Sequence, residues 1–249
     1  TTNLGGQFAV GYATTATGHV AFTSGYSTTA SGNYSTAMGE SSTASGANST
    51  ALGKSTSATG NYSTSLGNST TASGSQSTAL GESSTASGYA SLATGRSNTA
   101  SGYNATAMGR ASTASGYYST VIGYNATASD FASFVIGQYN SSGSSATSAG
   151  SYDVSAPAFV IGNGTSGTVS DAFKVMFNGD TTVSNDLTVS GDVVVSSDAR
   201  LKANIVSLGS TLARLLLIDG KTYTMKKDGK QKIGVLAQDI QKVFPELVS

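Results

Sequence analysis

Tyr89, Tyr103 and Tyr117 each follow a glycine at fourteen-residue intervals, and Phe131 continues the series after Asp130. If fourteen residues make one structural repeat, the rings stack about 4.8 Å apart, one inter-strand distance. Such rings hold sugar faces or pack on one another, and packing is the expected use. Glu40, Lys54, Asn68, Glu82, Arg96 and Arg110 occupy the alternate turns, where Glu40 with Lys54 and Glu82 with Arg96 form a surface charge ladder. The repeats hold no carboxylate pair of the sort glycoside hydrolysis needs, so no turnover enzyme is expected. His19 stands alone and is expected to be solvated rather than a metal ligand. With no cysteine there is no disulfide or zinc-thiolate chemistry, and neither metal nor cofactor is expected.

These side chains depend on a strict frame. Glycine falls at every seventh position from Gly11 to Gly123 and again at Gly137, with Asp130 in its place once. Around it the unit reads as in Ser35-Thr36-Ala37-Met38-Gly39 and Ser42-Thr43-Ala44-Ser45-Gly46. Period-two alternation puts Ser, Ala and Gly on one face and Thr with the pre-glycine residue on the other. Each unit is therefore a short strand, and glycine is expected to supply the turn after it, because positive φ costs glycine nothing. The pre-glycine residue alternates between apolar and polar, so one coil of a solenoid spans fourteen residues with two unlike strands. Ser24 and Thr94 interrupt the apolar column, and Phe22 and Leu92, two residues earlier on the same face, fill the gaps.

The small face suits the inside of a thin coil, which leaves Met38, Leu52, Leu66, Leu80, Met108, Ile122 and Ile136 as a continuous apolar stripe outside. A stripe of that kind marks an association surface. Two or more copies packed about a common axis would bury it. Only 10% of the 249 residues are charged and large hydrophobics are few, a composition that makes a poor globular core and leaves burial to oligomerisation. The formal net charge of zero favours neither nucleic acid nor an anionic membrane surface. No run of about twenty apolar residues exists, so no direct membrane insertion by a helix is expected. The chain begins at Thr1 and is expected to be a piece of something longer.

The Ser-Thr-Ala-Met-Gly and Ser-Thr-Ala-Leu-Gly units, separated by two variable residues from Ser-x-Ala-x-Gly units, resemble the head repeats of YadA-type trimeric adhesins over about residues 7–138. The resemblance implies a left-handed parallel β-roll, assembly as a homotrimer, and adhesion to a cell-surface glycan or protein receptor. The resemblance also implies a membrane-anchoring barrel, and none is expected within these 249 residues.

From Ser151 the heptad glycines vanish. Runs at Ala158-Phe159-Val160-Ile161, Ala172-Phe173-Lys174-Val175-Met176-Phe177 and Leu187-Thr188-Val189 are separated by Asn163-Gly164 and Asn178-Gly179, a β-rich module with hairpin signals. Phe159, Phe173 and Phe177 are expected in its core. Nine of the thirteen Lys and Arg residues then lie between Asp198 and Lys242. That stretch reads as a helix over 210–217, a hairpin of Lys221–Met225 with Gln231–Val235 about Asp228-Gly229, and a second helix ended by Pro245.

Ser197-Asp198-Ala199-Arg200-Leu201-Lys202-Ala203-Asn204-Ile205, followed by the segment from Ile233 through Phe244-Pro245-Glu246-Leu247, resembles the intramolecular chaperone of phage tail spikes and endosialidases, the S74 peptidase family. The resemblance implies a trimerising domain that sets the register of the β-fibre before it. It also implies a single self-cleavage between Ser197 and Asp198, with Ser197 as nucleophile and Lys202 as the base that activates it.

The expected architecture is thus mainly β: a trimeric left-handed parallel β-roll solenoid over 1–138, a β-rich tip or connector module over 139–196, and a small α+β chaperone-type domain over 197–249. The expected function is a homotrimeric adhesin or receptor-binding fibre, extracellular, at a cell surface or on a virion tail, and phage and bacterial display are both consistent with it. Tyr139, Tyr152, Asp153 and Asn163 of the irregular module are the preferred ligand-binding candidates, beside Tyr89, Tyr103 and Tyr117. Two other readings stand: a glycan-degrading tail spike, and an ice-binding solenoid using the threonine columns that include Thr29, Thr36, Thr43 and Thr50. Asn33, Asn48, Asn61 and Asn68 begin glycosylation-type triplets that a Ser/Thr-rich repeat produces by chance.

Overall fold

The computed structural model of the chain describes residues 6–141, 148–190, 203–205, 211–224, 229 and 231–245. Contacts divide it into two compact units, Thr1–Thr188 and Val189–Ser249. In the first, a five-residue strand recurs every fourteen residues from β1 (Phe8–Tyr12) to β19 (Phe134–Gln138). A two-residue strand lies in each interval, from β2 (Thr15–Ala16) to β18 (Thr127–Ala128). Long strands pair with long and short with short, all parallel and in register, so that Thr36 meets Thr50, Met38 meets Leu52 and Gly39 meets Gly53. The product is a β-solenoid of about nine turns with two unlike walls.

Alternation sends Ser35 and Ala37 inward and leaves Thr36 and Met38 half-buried. The walls lie so close that alanine fills the space between them, and Ala30, Ala37, Ala44, Ala51 and Ala58 are fully buried. Ser65 interrupts the alanine core, and its hydroxyl lies 2.8 Å from the Thr70 hydroxyl, so that each buried oxygen has a partner. Farther along, Val121, Val135 and Val160 replace alanine at the same inward position.

The long-strand glycines take positive φ as expected, as at Gly39 (φ 111°) and Gly53 (φ 131°), and left-handed geometry also falls on non-glycine residues at the turns. The left-handed turn residues are Ser41 (φ 55°), Asn48 (φ 56°), Ser55 (φ 53°) and Tyr62 (φ 59°), and the series recurs from Ala13 to Tyr139, two residues after each repeat position. Left-handed geometry costs an L-residue roughly 1–2 kcal/mol. From Ser27 onward each of these residues offsets that cost by donating its N–H to the preceding coil, as Ser41 does to the Tyr26 carbonyl at 2.8 Å and Asn48 to the Asn33 carbonyl at 2.8 Å. Glycine is demanded also by the stacking of coils, on both walls. A Cβ on Gly39 would lie 2.0 Å from the Gly53 carbonyl oxygen, and one on Gly46 would lie 1.9 Å from that of Gly60. Asp130 escapes this constraint because β18 is the last short strand of its sheet.

After β19 the chain leaves the period and returns. β20 (Pro157–Asn163) adds to β19 in parallel register, Ile136 against Ile161 and Gly137 against Gly162. β21 (Asp171–Met176) and β22 (Thr181–Val183) follow antiparallel, completing a 13-stranded sheet. Two expectations are corrected here. Asn163-Gly164 is not a two-residue turn: the β20–β21 connection runs to Ser170 with a Thr165–Thr168 bridge inside it, and Gly164 is needed because a Cβ there would lie 2.2 Å from the Tyr139 carbonyl. Leu187-Thr188-Val189 is not a strand, since the tight turn at Gly179 places Thr181–Val183 against β21 first, and Leu187 is left exposed.

The second unit holds α1 (Thr211–Leu215), an antiparallel hairpin of β23 (Lys221–Thr224) with β24 (Gln231–Gly234), and α2 (Ala237–Val243). α1 is shorter than the expected 210–217, and α2 ends at a Phe244 cap before Pro245. Arg214 of α1 ties the two helices together: its guanidinium lies 4.1 Å from the Phe244 ring centroid, and its Nε donates to the Val243 carbonyl at 3.0 Å. No described helix is long and apolar enough to cross a membrane.

Two substitutions separate the two backbone roles. Gly46→Ala should lower stability by on the order of 3 kcal/mol or more, because its φ is not left-handed but its Cβ would lie 1.9 Å from the Gly60 carbonyl oxygen, which has nowhere to go. Ser55→Gly should be neutral or stabilising by up to about 1 kcal/mol, because it relieves a left-handed residue. Thermal unfolding followed by circular dichroism measures both, and equal losses would contradict the assignment.

Candidate functional site

Each long strand turns its first and third residues outward, so in-register pairing converts the repeat into two side-chain ladders on one wall. The third-residue ladder runs through Met38, Leu52, Leu66 and Leu80, then Met108, Ile122 and Ile136. Leu52, Leu66 and Ile122 are 38%, 41% and 42% exposed, which is high for aliphatic side chains in a row that Thr94 alone interrupts between Met38 and Ile136. The ladder continues past the expected residues through Ile161, Phe173 and Val183. Phe134, Phe159 and Val175 extend the first-residue ladder beside it. Phe159 lies 5.6 Å from Phe134 and 6.1 Å from Phe173, centroid to centroid. Phe159 and Phe173, expected in a core, are thus half-buried members of the outer wall, and Val160 takes the interior. Phe177 lies apart from them, edge-on to Tyr152 at 5.1 Å.

The tyrosine column forms, and its rings pack on one another. Tyr89 and Tyr103 stack at 4.9 Å, and Tyr103 and Tyr117 tilt at 5.9 Å. Tyr118, which sequence reasoning passed over, makes edge contacts with Tyr103 at 5.7 Å and Phe131 at 5.3 Å. Gln76 Nε2 donates to the Tyr89 hydroxyl at 2.7 Å. On the opposite turns Lys54 lies 3.1 Å from Glu40 and Arg96 lies 3.4 Å from Glu82. Both pairs are exposed, each worth about 1 kcal/mol or less. His19 is exposed and edge-on to Tyr34 at 5.5 Å, and the described residues contain no cluster of His, Asp and Glu able to hold a metal.

The irregular-module candidates fall into two pairs at opposite ends of β20. Tyr139 and Asn163 converge on Ser170, whose N–H donates to the Tyr139 carbonyl at 3.0 Å and whose hydroxyl donates to Asn163 Oδ1. Tyr152 and Asp153 lie before the strand, where Asn178 N–H donates to the Val154 carbonyl at 2.9 Å. Asp153 accepts the Ser155 N–H at 2.8 Å and its hydroxyl at 2.7 Å, and these bonds, the backbone one first, hold its carboxyl below the usual range. Ser197, Asp198 and Lys202 lie outside the described residues.

A cleft of about 280 Å³ opens where the regular coils stop, lined by Ser141, Ser170, Asp171, Lys174, Thr182 and Ser184. Asp171 accepts the Ser141 N–H at 2.9 Å and its hydroxyl at 2.7 Å. Lys174 lies opposite Val160, on the face that is interior in every coil before it. Polar groups in this place end the run of alanine-lined coils and deter a further strand from adding.

A second aromatic cluster escaped sequence reasoning because it mixes residue types at the turn after the long strand. Arg110 lies 5.3 Å over the Tyr124 ring, Tyr124 meets Tyr139 edge-on at 5.3 Å, and Asn125 Nδ2 donates to the Tyr139 hydroxyl at 3.0 Å. The hydrogen bond with Tyr139, aided by the Arg110 charge, holds the Tyr124 phenol below its ordinary value, and the same bond holds Tyr139 above it. Their contributions to stability have opposite signs. That of Tyr124 is present above the unfolded phenol pKa and lost as pH falls through the folded one, while that of Tyr139 is present below the unfolded pKa and lost as pH rises. An alkaline absorbance titration should therefore show one tyrosine ionising ahead of the rest, and Tyr139→Phe should return it to the main group. A single wave unchanged by that substitution would refute the pairing.

Comparison with known families agrees with the geometry. The YadA head domain repeat matches residues 24–42, 30–56, 44–70, 58–82, 72–98 and 100–138, and the chaperone of endosialidase matches residues 197–249. No curated protein matches the chain closely. The chain therefore carries YadA head repeats over 24–138, folded as a β-solenoid, followed by an endosialidase-type chaperone domain over 197–249.

Proposed function

We propose that the protein is a homotrimeric fibre that acts as an adhesin or as a receptor-binding fibre. The supporting observation is the outer ladder from Met38 to Ile136 and on to Val183, apolar and in register, left part-exposed by a chain whose interior is already filled with alanine. Nothing within the repeat is large enough to cover it, and identical copies present the same surface at the same spacing. Both matched families are known for trimers and are surface- or virion-associated. Three functional segments follow: head repeats to residue 138, a tip or connector over 139–196, and an assembly chaperone over 197–249. The receptor is a cell-surface glycan or protein, met by side chains of the connector such as Tyr152, which is 57% exposed.

Sedimentation equilibrium of the chain kept whole by Ser197→Ala should give three times the chain mass of 24.8 kDa. Leu52→Asp with Leu66→Asp should reduce it to one chain mass, because three copies would bring six carboxylates together in an apolar seam. A folded wild-type chain of single mass would refute the proposal.

We also propose one self-cleavage event between Ser197 and Asp198, supported by a chaperone match that begins at Ser197 and by Lys202 five residues beyond it. A neutral Lys202 takes the hydroxyl proton, the Ser197 oxygen attacks its own carbonyl carbon, the C–N bond to Asp198 breaks as Lys202 returns the proton to the departing amine, and water hydrolyses the resulting ester to free the Ser197 hydroxyl and carboxylate. Ser197→Ala should leave a full-length chain on denaturing electrophoresis where the wild type yields two pieces. Two pieces from the variant, or persistent full-length wild type, would exclude it.

A further inference from the structure

The outer wall is nearly a perfect repeat, and a perfect repeat cannot fix its own alignment. From Thr36 to Leu80 every long strand presents threonine first and Met or Leu third, and Thr106-Met108 and Thr120-Ile122 restore the pattern. Two copies slipped by one coil would meet the same side chains again, losing contact only at the ends. Between these uniform runs one rung is inverted: β13 (Leu92–Arg96) presents Leu92 first and Thr94 third. A second inversion, Phe22 with Ser24, lies near the N-terminal end. Inversion keeps the volume of the rung and moves its bulk by two residues along the strand. The inward residue does not demand it at β13, because Ala93 is fully buried like the alanines before and after it, and the buried Asn98 of the same coil bonds the Thr94 backbone carbonyl at 2.8 Å, not its side chain; at the other inverted rung Thr23 takes the inward place.

We propose that Leu92-Thr94 and Phe22-Ser24 are register locks, read between copies of this chain and matched only by the same rung of a neighbour. This rests on the association of identical copies along the outer wall proposed above. In register, leucine sits level with leucine and threonine with threonine. One coil out, Leu92 sits level with Thr78 or Thr106 while Thr94 sits level with Leu80 or Met108, so one level is overfilled and the next left with a hole. Rotational symmetry about the fibre axis requires zero axial offset between copies, and the inverted rungs distinguish that arrangement from its near-equals.

The test mixes two populations of the full chain, both carrying Ser197→Ala so that the chaperone domain stays attached, and wild type denotes the unaltered outer wall. Wild type and the doubly substituted Leu92→Thr, Thr94→Leu chain, one isotope-labelled, are unfolded together, refolded in equal amounts and weighed by native mass spectrometry. Each should assemble with itself, and mixed assemblies should fall several-fold below the statistical proportion. Met108→Leu, which leaves the rung order alone, should mix with wild type statistically. If the first variant does not fold, Thr78→Leu with Leu80→Thr supplies the inversion at a neighbouring rung and should be excluded in the same way. Statistical mixing of either inverted variant would overturn the locks. Single-chain masses throughout would instead refute the association beneath them.

Discussion

The approach of one coil to the next governs this molecule. Each repeat glycine lies so near the glycine of the following coil that a methyl group would sit about 2 Å from its carbonyl oxygen, well inside contact distance. That approach sets the parallel register, because no other alignment puts glycine over glycine on both walls at once. It also sets the thickness, leaving an interior that alanine and serine fill. A core of alanine buries little surface per residue, so the larger apolar side chains must do their work outside.

The outer wall inherits its order from this stacking. A side chain placed third in every long strand becomes a straight ladder because the strands beneath cannot slide. Ring contacts, charge pairs and hydroxyl columns are consequences of the same alignment, each small in energy and all directed along the fibre. The function proposed for the chain grows from this geometry: a β-solenoid with one part-exposed apolar wall and irregular loops where the period ends. The half-buried threonine columns belong to the same two walls, and those of the long strands flank the ladder assigned to association.

Much of this was legible in the residues. The fourteen-residue coil, its inward and outward faces, the charge ladder from Glu40 to Arg96 and the Lys221–Gly234 hairpin all follow from spacing, because a solenoid turns sequence period directly into position. The turn residues were missed because left-handed geometry there is imposed by the coil on Ser, Tyr, Ala and Val alike, and only the asparagines carry a local signal. The positive φ of the long-strand glycines was legible, but their second role in coil stacking was not, because the partner is fourteen residues away and turn propensity is a local rule. The extension of the outer ladder to Ile161, Phe173 and Val183 was hidden by the inserted segment after Gln138, which breaks the count while the backbone resumes the same register.

The central claim is that the outer ladder is covered only by neighbouring copies, and methionine reports on it directly. Met38 and Met108 are rungs of that ladder, and peroxide converts an accessible thioether to its sulfoxide. Oxidation of the native assembly, read by peptide mass, should leave both residues far slower to react than free methionine, with protection lost on dissociation. Reaction of Met38 and Met108 at the free rate in a chain that remains folded would show that nothing covers the ladder, and the account would fail.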